Sequence, residues 1–335
     1  MGHFGINKNI PMLRESRVKP GKVWILELLI FALVFIVASN IEAIPVSIGT
    51  VIWLFGEGDI MGLAADTVGR GDISGYLDRV FDLLESMPAW LWIVMLFATV
   101  LVTITVILFC RWLQKRRVPS LGLRRKHAVR EYVVGALMGI CLITLTMVVA
   151  ILTGGVTEIR FTRFNALLFV LYLLGYMVQG MSEEVLCRGY LMPSIARRGP
   201  IWLAVVLSSL TFSLLHFANP GFGIMPAINI FLTGVVFAVY VLKRGNLWGA
   251  CAMHSFWNFF QGNIFGISVS GNDPATNSTL IQSSVGGANP LWSGGDFGLE
   301  GSLCITIVML AALAIELFVM PPANDGRFEE PTEVL

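Results

Sequence analysis

Charged residues are scarce in this sequence. Asp, Glu, Lys and Arg together make up 13% of its 335 residues, whereas hydrophobic residues make up 56%, and the mean hydropathy is +0.75. Because soluble globular domains carry about 25% charged residues, this composition excludes that class and indicates a polytopic membrane protein. The net charge of +1 shows no basic surplus, so nucleic acid is not expected as a partner.

Several common patterns are also absent. The five cysteines include no CxxC pair and show no spacing typical of a disulfide framework, so we expect them to be small buried hydrophobes. No HExxH zinc motif occurs. We find neither an internal repeat, which many transporters show, nor a separate soluble domain.

Long apolar stretches predict the fold. A membrane helix needs about 20 apolar residues. Eight stretches approach that length, at about 23–45, 88–112, 132–153, 164–187, 201–218, 224–242, 247–268 and 302–320. We therefore predict an all-α, polytopic integral membrane protein with eight transmembrane helices.

The distribution of basic residues predicts the orientation in the membrane. Lys and Arg are found in residues 1–22 and in the loops after the second, fourth and sixth stretches, whereas the loops after the fifth and seventh contain none. Arg160 and Arg163 run slightly against this alternation. Because Lys and Arg favour cytoplasmic loops, we predict that the N-terminus and the C-terminus both lie in the cytoplasm.

Two long loops are then extracytoplasmic. In the first, apolar residues at helical spacing predict a short helix on the membrane surface; they are Ile73, Tyr76, Leu77, Val80, Phe81 and Leu84. The second, residues 269–300, is rich in Gly, Ser and Asn, which predicts an irregular loop.

Three polar clusters interrupt the apolar stretches. An ionisable group at the centre of a membrane helix costs about 2.5–3.5 kcal/mol on insertion scales, so such groups are functional candidates by default. The clusters are Glu183, Glu184 and Arg188; Phe212 and His216; and His254 and Asn258.

Helical spacing assigns different roles to the two adjacent glutamates. Glu184 and Arg188 are four residues apart and can pair on one helix face. Glu183 is turned about 100° away from that face, so it is left free to act as a general base that activates water. His254 and Asn258 are also four apart and could donate hydrogen bonds to a developing oxyanion.

A depth argument places the three clusters at one site. If the fourth helix runs on to Arg198 and the chain turns at Gly199 and Pro200, Glu184 and His216 stand at nearly equal depth in an antiparallel hairpin, at about 1.5 Å per residue. His254 lies somewhat nearer to the cytoplasm. We therefore predict an active site within the membrane, in its middle or its cytoplasmic half.

The segments "EEVLCR", "FSLLH" and "HSFWN" stand in this order, and they resemble the EExxxR, FxxxH and HxxxN motifs of the CPBP intramembrane proteases. This family includes the type II CAAX prenyl endopeptidases and the bacterial Abi proteins. The resemblance covers about residues 165–262. With the apolar stretches, this predicts a basic cytoplasmic tail (1–22), three N-terminal transmembrane helices (23–163), a catalytic helical core (164–268) and a last segment (269–335). That last segment comprises an extracytoplasmic loop, the last helix and an acidic cytoplasmic tail.

The resemblance implies a glutamate-dependent endopeptidase of the cell membrane. Glu183 and His216 would activate a water molecule for attack on a peptide carbonyl, and His254 with Asn258 would stabilise the oxyanion. The implied partners are a membrane-associated peptide or protein substrate and the lipid bilayer. Prenylated C-terminal peptides are cut by eukaryotic members, and the sequence leaves open whether this extends to the present chain.

Three supporting residues complete the implied site. Glu184 would pair with Arg188 and shape the site, and Phe212 would fix the His216 ring by packing. No cofactor is expected. Zinc stays an alternative, because two histidines and a carboxylate are a common zinc ligand set.

Other interpretations remain open at this point. The glutamates could form a structural ion pair with Arg188, the histidines could be interhelical hydrogen-bonding residues, and Cys251 could be a nucleophile near His254. The whole protein could be a non-catalytic scaffold or a bacteriocin-immunity protein on the same fold. A transporter is a third class, because buried carboxylates and histidines also form proton relays.

Overall fold

The computed structural model describes residues 10–56, 60–62, 87–163, 165–273, 278–284 and 289–321. These residues are mostly helical. The α-helices are α1 (Pro11–Arg17), α2 (Trp24–Phe55), α3 (Ala89–Ala98), α4 (Val100–Leu108), α5 (Ala128–Leu152), α6 (Ala166–Glu184), α7 (Met192–Ala196), α8 (Ile201–Leu214), α9 (Ile224–Arg244), α10 (Trp248–Phe259), α11 (Pro290–Ser293) and α12 (Leu303–Phe318). The surface helix predicted around residues 73–84 lies outside the described residues.

Short helical turns of other types continue or join these helices. Three π-helical turns directly follow α4, α6 and α10, at Phe109–Leu113, Val185–Leu191 and Phe260–Ile264. Among the described residues, 3₁₀ turns lie at Val118–Leu121, Gly295–Phe297 and Leu299–Gly301. A π turn adds a residue to the ordinary helical repeat and is frequent at functional sites.

Five helical stretches in the described part of the chain are long and apolar enough to cross a membrane. They are Trp24–Phe55, Ala89–Leu113, Ala128–Leu152, Ala166–Ala196 and Ile224–Arg244. This confirms an all-α, multi-pass membrane protein. The other three predicted stretches form α8, α10 with its π turn, and α12, which are shorter; the count of eight spans and the sides of the termini stay predictions.

The ends of α2 and α8 differ from the predicted ones. Helix α2 continues through Pro45 to Phe55, ten residues beyond the predicted end, because the sequence after the proline is again apolar. Helix α8 ends at Leu214 rather than at 218. Residues 215–218 form a turn. A helix could not continue past Asn219, because the residue before a proline disfavours helical geometry. His216 therefore lies in a turn just beyond α8.

A small two-stranded sheet accompanies the helices in the described part of the chain. Strand β1 (Glu158–Phe161) pairs antiparallel with β2 (Ile281–Ser284), with Glu158 opposite Ser284. The described residues of the second long loop also contain α11, two 3₁₀ turns and the fully buried Phe297 and Leu299. They are not irregular as predicted, because glycine-rich turns let apolar residues of this segment pack inward.

The central helix of the site region is α10, which packs against α5 and α6. A Cβ atom at Gly135 of α5 would lie 1.9 Å from the carbonyl oxygen of Gly249, and one at Gly180 of α6 would lie 2.6 Å from Oγ of Ser255. Small residues thus allow the helix backbones to approach closely, as is common between membrane helices. This approach brings α10 next to the end of α6, where the two glutamates lie.

Candidate active site

The two adjacent glutamates end α6 and have different environments. The side chain of Glu184 is fully buried, whereas that of Glu183 is 26% exposed. The π turn Val185–Leu191 follows immediately. The two glutamates therefore differ in their exposure to solvent.

Glu184 and Arg188 form a buried ion pair. Nη1 of Arg188 lies 2.8 Å from Oε1 of Glu184, and both side chains are inaccessible to solvent. The guanidinium carbon lies 4.1 Å from the centre of the Phe212 ring, within the range of a cation–π contact. The pair forms at the i, i+4 spacing that was predicted.

The same carboxylate orients His254. Nδ1 of His254 lies 3.1 Å from Oε1 of Glu184. A carboxylate paired with a guanidinium can only accept, so Nδ1 carries the proton and donates it. Nε2 of His254 then points to Glu183, 3.7 Å from Oε2. The rings of Phe212 and Phe237 pack 5.8 and 5.7 Å from the imidazole.

His216 is oriented by a backbone carbonyl. Its Nδ1 lies 2.9 Å from the carbonyl oxygen of Phe212, and because a carbonyl only accepts, Nδ1 is the donor. Nε2 is therefore directed away from this bond and lies 3.9 Å from Oε2 of Glu183. The Phe212 ring meets the imidazole edge-on at 5.0 Å, so Phe212 positions His216 through both its backbone and its ring.

Oε2 of Glu183 is the point where these groups meet. It makes no hydrogen bond within the described part of the chain, yet it faces Nε2 of both His216 and His254. The separations of 3.9 and 3.7 Å exceed a direct hydrogen bond. The site therefore places a buried carboxylate oxygen, without a hydrogen bond from the described residues, beside the Nε2 atoms of two imidazoles.

The sequence interpretation missed Gln179. Its Nε2 donates a short hydrogen bond to Oε1 of Glu183, and its Oε1 accepts from Nδ2 of Asn258 at 3.0 Å. Gln179 thus connects the candidate base to the predicted oxyanion donor. A polar residue four positions before Glu183 on an otherwise apolar helix face was the signal that could have identified it.

A small cavity adjoins the histidines. Its volume of about 20 Å³ is enough for one or two water molecules. The described residues that line it are Phe212, His216, Ile230, Thr233, Phe237, His254, Trp257, Asn258, Ser270 and Glu300. Glu183 is not among them and contacts the site from α6. Glu300 was also missed, because an acidic residue in a glycine-rich loop gives no sequence signal.

The structure brings all seven predicted site residues together, with one difference. The Asn258 amide was expected to donate to an oxyanion with His254, and the structure shows that one of its hydrogens is already donated to Oε1 of Gln179. Cys251 is fully buried and does not line the cavity. Among the described residues, no group of three His, Cys, Asp or Glu side chains is arranged to hold a metal ion.

Residues 164–260 match the family model of the Rce1-like type II CAAX prenyl endopeptidases. This confirms the resemblance that the three motifs indicated. The Rce1-like segment contains all seven predicted residues and Gln179, whereas Ser270 and Glu300 follow it in the chain. Comparison with curated proteins gave no match.

Proposed function

We propose that the protein is a glutamate-dependent intramembrane endopeptidase that hydrolyses peptide bonds of membrane-associated substrates. The observation that carries this proposal is the unpaired Oε2 of Glu183, which lies within 3.9 Å of the Nε2 atoms of His216 and His254. The Rce1-like match and the apolar helices around the site support it.

In this proposal Glu183 and His216 share the water that attacks. Oε2 of Glu183 removes a proton from the water, while the lone pair on Nε2 of His216 accepts its second hydrogen and orients it. The water oxygen forms a bond to the peptide carbonyl carbon, and the carbonyl oxygen becomes negative. The carbon–nitrogen bond then breaks, and the proton held by Glu183 passes to the leaving amine.

The oxyanion is stabilised by His254 and Asn258. Nδ1–H of His254 is engaged by Glu184, so donation to the oxyanion requires a second proton on Nε2. The Glu184 carboxylate stabilises that imidazolium, as a carboxylate beside a histidine generally does. The remaining amide hydrogen of Asn258 supplies a second donor. Preorganised donors of this kind are worth about 2.7–4 kcal/mol each to the rate.

The substrate in this proposal is a peptide or protein segment at the membrane. The family description names prenyl endopeptidases, so a prenylated, CAAX-like C-terminus is the first substrate class to test. The distribution of Lys and Arg among the loops supports a site towards the cytoplasmic side. Neither metal nor cofactor takes part in the proposed reaction.

The function is tested by comparing peptide termini in the membrane proteome. Cells carry the wild type, Glu183→Gln or, as a control, Glu158→Gln, which makes the same change at an exposed residue of β1. We expect termini that are present with the wild type and the control but absent with Glu183→Gln. If no terminus depends on Glu183, and Glu183→Gln rescues a deletion phenotype, the protein acts as a non-catalytic binder and the proposal is wrong.

A further inference from the structure

The cavity beside the two histidines is lined by a carboxyl group that the proposed reaction does not use. Glu300 lies in the 3₁₀ turn directly before α12, and only 8% of its surface is exposed. It lines the cavity together with His216, His254 and Asn258. An acidic group therefore faces the same space as the proposed catalytic groups.

The backbone fixes the position of Glu300. The side-chain amide of Asn229 donates hydrogen bonds to the carbonyl oxygens of Glu300 and Ser302, at 2.9 and 2.8 Å. Gly298 has a φ of 85°, and a Cβ atom there would lie 2.2 Å from the carbonyl oxygen of Ser268. These contacts hold the turn in place without using the carboxyl group.

The two carboxyl oxygens of Glu300 differ. Oε2 accepts hydrogen bonds from Nε2 of Gln261 at 3.2 Å, from Oγ of Ser270 at 3.1 Å and from the backbone N–H of Ser270. Oε1 accepts none from the residues that the structure describes. No Lys or Arg is among the described residues that line the cavity, so one oxygen is available to a group that enters from outside.

We propose that Oε1 of Glu300 binds the ammonium group of a substrate Lys side chain beside the scissile bond. This inference rests on the proposed function, whose substrate class it narrows. A cation gains a charge-assisted hydrogen bond from the free oxygen. A substrate carboxylate would instead meet a like charge in a site of low dielectric constant, where repulsion is strong. A peptide with an internal basic residue is therefore preferred over one whose C-terminal carboxylate enters this cavity.

The test measures binding and cleavage separately. The probes are fluorescent, apolar ten-residue peptides that differ only in one central residue, which is Lys, Gln or Glu. Binding of each peptide is measured to full-length protein in lipid nanodiscs. All proteins carry Glu183→Gln, which prevents the proposed cleavage. They are compared with versions that also carry Glu300→Gln or Glu300→Lys. Asp296→Asn is the matched control, because Asp296 is an exposed acidic residue of the same segment. Thermal unfolding of each variant shows whether it is folded.

We expect the Lys peptide to bind about ten-fold or more tightly than the Glu peptide, which corresponds to about 1.4 kcal/mol. The preference should fall to near equality with Glu300→Gln, reverse with Glu300→Lys and persist with Asp296→Asn. An unchanged preference in folded Glu300→Gln overturns the inference. Cleavage is scored with Glu183 restored: if the preference is found but no peptide or cellular protein is cut, the proposed function fails instead.

Discussion

Nδ1 of His254 donates to the same carboxylate oxygen of Glu184 that Arg188 contacts, at 3.1 and 2.8 Å. One buried acid therefore neutralises a cation and orients an imidazole on another helix. Because the adjacent Glu183 takes no part in this pair, the two glutamates can be separated by experiment. Glu184 should contribute mainly to stability and Glu183 mainly to catalysis.

Replacing Glu184 by Gln should destabilise the protein. The change leaves the Arg188 guanidinium buried without its anionic partner, and breaking a buried ion pair in this way costs about 3–5 kcal/mol. Glu183→Gln should leave stability nearly unchanged, since its side chain is partly exposed. Thermal unfolding of both variants in the same detergent measures the difference. Equal melting temperatures would show that the Glu184–Arg188 pair contributes little.

Replacing Gln179 by Ala should slow catalysis without weakening substrate binding. The change removes the hydrogen bond to Oε1 of Glu183 and the acceptor for Asn258. Mispositioning catalytic groups by about 1 Å can cost about 100-fold, so we expect kcat to fall by about ten- to 100-fold at constant KM. Asn40→Ala, at an exposed amide of α2, is the control. A rise in KM alone would assign Gln179 to substrate binding.

Removal of metal ions should leave the activity unchanged. The proposed reaction uses a carboxylate and imidazoles to activate water, so EDTA or phenanthroline should not inhibit, and purified active protein should contain less than stoichiometric zinc. Metal analysis of the same preparation provides the second readout. Loss of activity on chelation and its recovery with zinc would instead favour the zinc alternative.

Stability should depend on pH through Glu300, which lies outside the membrane-spanning helices. Burial raises the pKa of its carboxyl group above the usual 4.5, although hydrogen bonds from Ser270 and Gln261 and the proximity of His216 oppose the increase. A raised pKa in the folded state means that folding favours the protonated form. The stabilisation is therefore complete below pH 4.5 and is lost as the pH rises through the pKa of the folded protein.

Unfolding of the wild type and Glu300→Gln across this pH range isolates that contribution. The stability of the wild type relative to the variant should decrease as the pH rises from 4.5. A difference that stays constant with pH would show that Glu300 titrates alike in both states, which contradicts the expected effect of its burial.

The sequence was sufficient for those parts of the site that depend on local spacing. The i, i+4 relation between Glu184 and Arg188 follows from helix geometry, and the turn at Pro200 brings α8 back beside the π turn that follows α6. The links from Gln179 to Asn258 and from Glu184 to His254 depend on how closely α6 and α10 pack. Such tertiary contacts cannot be derived from periodicity.

The long segment before α12 was the least predictable part. Its glycines and serines are typical of irregular loops, yet turns at residues such as Gly298 fold it against the cavity and bury Phe297. The position of Glu300 follows from these turns and from the amide of Asn229 on α9. A carboxyl group placed by backbone contacts with a distant helix leaves no pattern along the chain.

The central claim is that Glu183 activates the attacking water, and a cleavage rate tests it most directly. The substrate is a peptide that contains a cellular cleavage site, and the enzymes are wild type and Glu183→Gln in nanodiscs, with their folded amounts matched by thermal unfolding. We predict that the near-isosteric change lowers kcat by about 100- to 10,000-fold, the usual contribution of general acid–base catalysis. A folded Glu183→Gln that cleaves within about ten-fold of the wild-type rate would contradict the account.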